Sequence, residues 1–560
     1  MKKFRWIALL LTVAVLFGSL SSCAPIYHLA QYFSEESTTA DFLEKAPSRP
    51  DSPLLPSEPN EPSEDDLAYT LTQADVDAMY AQISACELLL LGEALEEDVL
   101  QTLLEELEAA YYHIVTQAQL AYIYYCVDQV SEETSEAYLF ASAASADVYN
   151  AYIAMCKNID ASESPNRAFF FRDWTEDEIA EMRGFSDEIT AYTKANDEIL
   201  VSYRALSNEN FFNNAAEHYL RFLNNNNAIA QLNGYADYWA YASAEIYDRS
   251  YTETEMQAIR TYVKSHLVGL LEEISLAFDT QYASLTKKQQ RWVELFMGAS
   301  YDELGEDYVG AFINSFDGDT KQVLLEMLNE ENSIFTESGK SYEGAFTSYL
   351  YEYERPICYF GPQYQDAFTV VHELGHYHSL LERGDMDIPI DLAEVHSQSN
   401  EFLFLAFLET TEDEAAMKTI RLYQLYNTIS VIITAVLIDE FEQRCYEANI
   451  TSADQFDLIM AEVIDAYGGA TWLNSMYQYW RLVVLESPVY YLSYGVSALA
   501  ALQVYATASD SYEAGQEAYL RLVESAAEGD DYIKALAAAG LSAPDEEETY
   551  LEIARLVNQD

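Results

Sequence analysis

Two histidines four residues apart, with a glutamate directly after the first, stand in His372-Glu373-Leu374-Gly375-His376, and eighteen residues beyond them comes Glu394 in Asp391-Leu-Ala-Glu394. On a helix of about 3.6 residues per turn, positions four apart share a face, so both imidazoles can turn toward one metal ion while Glu373 stands beside the position left for water. A catalytic zinc site needs a third protein ligand, and carboxylate suits it. The set His372, His376 and Glu394 is therefore a candidate for holding one Zn2+ ion, with Glu373 as general base in hydrolysis. Glu394 has a competing role, because Asp391-x-x-Glu394 also matches a capping box with Asp at the N-cap and Glu at N3.

Helices must position these groups. The spacing predicts one helix from about Asp366 to Arg383, stopped by Gly384. Gly375 inside it costs about 1 kcal/mol relative to Ala, which predicts a close backbone approach there. After the loop Asp385 to Pro389, a second helix is predicted to begin at Asp391, with Glu394, Ser397, Gln398, Glu401 and Leu405 along one side. Glu401 is placed to hold a ligand histidine through its other ring nitrogen. His378 and His396 project from other faces and are expected to support the site or lie at the surface.

Just upstream, Ser338 to Leu350 and Arg355 to Phe360 read as short extended segments, the one sheet expected in the chain. Gly344, Ala345 and Phe346 lie on the first, where an edge strand can pair with the backbone of a peptide. Downstream, Ser487-Pro488 predicts a helix opening, with Ser as N-cap and Pro at N1. Tyr490, Tyr491 and Tyr494 follow; phenols at that spacing can donate to an oxyanion, or pack as ordinary core in a chain with 45 tyrosines. Asn427 to Ile438 is too short an apolar run to span a bilayer and is predicted to be a buried helix.

The whole chain of 560 residues carries Lys+Arg 29 against Asp+Glu 94, a formal charge of -65, which excludes a general nucleic-acid binder and electrostatic adhesion to an anionic membrane. Lys2, Lys3 and Arg5 precede the apolar run Ile7 to Phe17 and then Leu20-Ser21-Ser22-Cys23, which resembles a bacterial lipobox with Cys23 as the lipidated residue; a plain secretory signal or an uncleaved anchor is the alternative. Lipid rather than charge would then hold so acidic a chain to the membrane. The division expected is a leader over 1–22, a lipid-anchored Pro/Ser/Glu-rich linker over 23–66, an N-terminal helical region over 67–215 and a catalytic region over 216–560 within the same folded unit. The five other cysteines, Cys86, Cys126, Cys156, Cys358 and Cys445, are widely spaced and expected as buried free thiols.

Four ordered pieces resemble the thimet oligopeptidase and oligoendopeptidase F family of zinc peptidases: Gly339-Lys340 with Gly344-Ala345-Phe346, Phe368 to His376, Ala393-Glu394 with Ser397 and Glu401, and Pro488 to Tyr494. The resemblance implies a mainly α, zincin-like fold with a small β-sheet beside the zinc and a deep channel between two helical halves. It implies hydrolysis of short, unfolded peptides, His372, His376 and Glu394 as ligands, Glu373 as base, and Tyr491 and Tyr494 as transition-state tyrosines, with Tyr490 the alternative. A histidine that commonly precedes the tyrosines has no counterpart between Trp480 and Tyr494, where Arg481 is the nearest cation. That departure leaves a second expectation, a catalytically impaired peptide-binding lipoprotein that keeps the fold. Expected partners are peptides and, through lipid, a membrane of the bacterial cell envelope, with no nucleic acid and no obligate protein partner.

Overall fold

The computed structural model describes residues 67–557, apart from 185–186, 205, 207–210, 299–305, 330, 337–338, 385–387 and 486. The leader, Cys23 and the linker up to residue 66 lie outside the described residues. Three long helices come first: α1 (Gln73–Leu90), α2 (Glu97–Val127) and α3 (Glu132–Asp160), which pack on one another. A capping box of Thr72 and Asp75 starts α1, and the Ser131 side chain accepts from the Thr134 backbone N–H at the start of α3. Leu100, Leu104, Leu107, Tyr111 and Ile114 recur at threes and fours along α2. They form one buried stripe against Met79 and Ile83 of α1 and Val148 and Tyr152 of α3.

The sheet has three strands, β1 (Ser333–Phe335), β2 (Ala345–Leu350) and β3 (Arg355–Phe360), in the order β1-β3-β2. β2 pairs antiparallel with β3, placing Thr347 opposite Cys358, and β1 lies parallel to β3 on its other side. β2 and β3 fall where the alternating segments predict strands. β1 is an addition, since three residues are too few to show a period of two. Phe346, Leu350, Ile357 and Tyr359 bury one sheet face against Leu120, Ile123 and Cys126 of α2. The chain before β2 is tied to the same helix end, with the Tyr342 N–H donating to the Cys126 carbonyl at 2.7 Å. β2 is thereby left at the edge of the sheet.

Five further helices build the body that holds the site: α4 (Ala367–Arg383), α5 (Ile390–Thr411), α6 (Glu414–Glu447), α7 (Leu492–Asp510) and α8 (Tyr512–Glu528). α5 packs against α4, α7 and α8, so it is buried on almost every side. The surrounding apolar cluster runs from Ile199 to Leu556. α6 is long and apolar enough to cross a membrane by length and composition, yet its apolar stretch is buried inside the fold, and Asn427 to Ile438 lie within it. All five cysteines beyond Cys23 are free and buried. The helix predicted to open at Ser487-Pro488 begins instead at Leu492, after a turn in which Val489 has φ +63°.

Candidate active site

Asp366 caps α4, its carboxylate accepting from the backbone N–H groups of Phe368 and Thr369, and Gly384 at φ +77° closes the helix. One face of α4 lies directly on α5. A Cβ on Gly375 would stand 2.5 Å from the His396 carbonyl oxygen and 2.7 Å from the Ser397 Cα, so only glycine permits this approach. The contact brings Glu394 to the histidine pair: its Oε2 is 3.7 Å from His372 Nε2 and 3.8 Å from His376 Nε2. One ligand atom from each of the three residues lies within 4.8 Å of the others. Two imidazoles and a carboxylate are a donor set that zinc favours.

Behind the three candidate ligands, Glu401 Oε1 is 2.6 Å from His372 Nδ1, which directs Nε2 of that ring toward Glu394. Glu373 is fully buried. Its Oε2 accepts from Thr347 Oγ1 of β2 at 2.5 Å, while its Oε1 has no hydrogen-bond partner among the described residues. Burial pushes the Glu373 carboxyl up to about 7, raises Glu394 and Glu401 as well, and holds His376 well below the usual imidazole range. Among the described residues, the basic groups within ion-pair distance of Glu394 and Glu401 are the rings of His372 and His376. Three carboxylates, Glu373 and Glu394 buried and Glu401 partly so, with no arginine or lysine paired to them among the described residues and one orphaned oxygen, fit a resident cation.

No family model matches the sequence, and no curated protein matches it. Solved structures do match over most of the chain. A protein assigned as oligoendopeptidase F is 15% identical with a TM-score of 0.68, over 89% of this chain and 98% of that one. A PZ peptidase A solved with an inhibitor is 16% identical with the same TM-score, over 89% and 99%. A protein assigned as oligoendopeptidase F from Bacillus anthracis strain Ames is 16% identical with a TM-score of 0.66, over 89% and 98%. The fold is that of oligoendopeptidase F.

Within this oligoendopeptidase fold the remaining site residues are distributed as follows. Gly344 precedes β2, Ala345 and Phe346 open it, and the Phe346 ring stacks on Tyr359 within the sheet core. The Tyr490 hydroxyl donates to Glu394 Oε1 at 3.2 Å. Tyr491 sits behind it, its hydroxyl accepting from Tyr479 at 3.4 Å, and Tyr494 places its ring edge-on to both Tyr490 and Tyr491. Arg481 does not replace the missing histidine: its Nη2 donates to both carboxylate oxygens of Asp457, at 2.8 and 2.9 Å. His378 and His396 are core residues rather than surface ones, since α8 covers them; Tyr519 meets His378 Nδ1 at 3.0 Å and the Leu522 carbonyl lies 3.2 Å from His396 Nε2.

Asp391 corrects the capping alternative. α5 begins one residue earlier, with Pro389 at the N-cap, and the Asp391 carboxylate turns inward to Arg249, Tyr251 and Ser493. Glu394 is therefore no N3 partner of an Asp cap. Thr347, Arg249 and Glu442 shape the site without any sequence signal. Thr347 is one of several polar residues on an alternating strand, while Arg249 and Glu442 lie outside every motif.

Proposed function

We propose that the chain is a zinc peptidase that hydrolyses peptide bonds in short, unfolded peptides. The observation that carries this is the convergence of buried His372 and Glu394 with partly exposed His376, beside a Glu373 whose Oε1 has no partner among the described residues, next to an edge strand. Zinc bound by His372, His376 and Glu394 would supply Lewis acidity, polarising a carbonyl and bringing the pKa of water toward about 7.

The chain's own groups do the rest. Glu373 Oε1 accepts the proton of the attacking water and passes it to the nitrogen of the departing amine, while Thr347 holds Oε2 still. Glu401 fixes the tautomer and direction of His372. The edge strand β2 would receive the substrate backbone as an added strand, which orients the peptide with little demand on its side chains. Tyr491 and Tyr494 supply phenolic donors for the oxyanion, while the Tyr490 hydroxyl donates to Glu394 and steadies it. The channel between two helical halves that the resemblance implies would limit substrates to flexible peptides.

We further place the chain outside the bacterial cytoplasm, held to a membrane by lipid on Cys23, on the strength of the lipobox and the linker that follows it. The test is a mixed peptide pool beside a folded protein, both incubated with the zinc-loaded chain and read by mass spectrometry. Cleavage confined to the peptides is expected. Tight peptide binding without cleavage at saturating zinc would identify a binding lipoprotein instead, the reading that the missing histidine favours. Radiolabelled palmitate incorporated by the wild type and absent from Cys23→Ser tests the anchor.

A further inference from the structure

The turn that carries Tyr490 is built against backbone preference. Val489, fully buried, has φ +63°, a region β-branched residues rarely adopt. Such strain persists only where the surroundings over-determine it. Here the Val489 N–H donates to both carboxylate oxygens of Glu442 on α6, at 3.0 and 3.1 Å. Its carbonyl accepts from Arg249 Nη1 at 2.9 Å, and the preceding Pro488 carbonyl accepts from the Tyr247 hydroxyl at 2.7 Å. Arg249 Nη2 reaches the Tyr490 carbonyl at 3.4 Å and Ser493 Oγ at 2.8 Å, and its Nε lies 3.4 Å from Asp391 Oδ1 in the first turn of α5. Three successive carbonyls of the turn are thus taken by two side chains that lie some 240 positions away in sequence.

The clamp is itself irregular. Tyr247 and Arg249 follow a π-helical segment, Ala242–Ile246, and flank Asp248 at φ +48°. Single π turns inside helices often mark functional positions because they re-aim the side chains that follow. The Tyr247 ring lies 4.6 Å from the Arg249 guanidinium and 6.0 Å from the Tyr490 ring. One strained segment therefore grips another, and the gripped one ends at the hydroxyl on Glu394.

We propose that Arg249, backed by Glu442, is a positioning residue: its planar fork ties the tyrosine turn to Asp391 of the ligand-bearing helix and so fixes the Tyr490 hydroxyl on Glu394. A lysine would keep the charge opposite Asp391 but cannot reach Val489, Tyr490 and Ser493 together, because its donors radiate from one point. The kinetic consequence rests on the peptidase reading; the consequence for zinc affinity does not need turnover.

The experiment is a double-mutant cycle in the full chain with Arg249→Lys and Tyr490→Phe. It measures zinc dissociation against a chromogenic chelator, kcat and KM on an internally quenched peptide, and Tm. Arg249→Lys is expected to weaken zinc binding several-fold and lower kcat about tenfold with KM little changed. In the Tyr490→Phe background the same change should have less than about a twofold further effect, because it acts through that hydroxyl. Equal losses in both backgrounds, or an Arg249→Lys chain with wild-type zinc affinity and kcat, would overturn the proposal. If Arg249→Lys does not fold, Asp391→Asn, which weakens the same tie from the α5 end, is cycled with Tyr490→Phe under the same criteria. A wild type that binds no zinc and cleaves nothing would remove the peptidase reading and this inference together; a wild type that does both while the cycle is additive removes only the inference.

Discussion

The ligand flank and the tyrosine flank of the site meet at Glu394 but are held by different physics. His372, Glu373, His376, Glu394 and Glu401 stand on two regular helices, capped by Asp366, ended by Gly384 and pressed together at Gly375. Their geometry follows from ordinary helix periodicity and one small residue. Tyr490, by contrast, hangs from an irregular turn, strained at Val489, in which Val489 is held by Glu442 and Arg249 and Pro488 by Tyr247, all from distant parts of the chain. A regular element places a group cheaply wherever its repeat points. A strained turn places one where no repeat points, at the cost of dedicated buried polar partners.

That difference can be broken or sharpened by substitution. Glu373→Gln removes the base and leaves the ligands, so kcat should fall by about 10³-fold while zinc content stays at the wild-type level. Tyr490→Phe removes the hydroxyl contact with Glu394 between the two flanks; kcat should drop about 10- to 100-fold with a smaller loss of zinc affinity, measured in steady state and by chelator competition. Glu401→Gln keeps a weaker acceptor for His372 Nδ1 and should raise the zinc dissociation constant about tenfold, with kcat of the loaded enzyme nearly unchanged. Gly375→Ala drives a methyl group into the backbone of α5 and should cost about 1–3 kcal/mol in denaturant unfolding. If Gly375→Ala proved neutral, the regular packing assigned to the ligand flank would be wrong.

The same division decides what was legible beforehand. The span of α4, its glycine stop, the close approach at Gly375, and strands β2 and β3 all follow from local spacing and turn chemistry, which tertiary contacts did not override. The start of α7 was misplaced because Ser487-Pro488 looks like a helix opening, whereas Arg249 and Glu442 hold residues 488–490 in another conformation. Asp391 looked like a cap because a sequence motif does not reveal a buried arginine waiting for its carboxylate. Periodicity turns His378 and His396 away from the ligand face, but it cannot show that α8 covers the faces they point from. β1 is simply too short to carry a pattern.

Zinc and turnover measured together on one sample test the central claim most directly. The chain is stripped with a chelator, titrated with zinc in dialysis, and assayed at each step on a flexible peptide. One equivalent of zinc should bind and cleavage should rise in proportion, both absent from His372→Ala. Undiminished cleavage by the stripped chain, or equal zinc uptake by His372→Ala, would contradict the account.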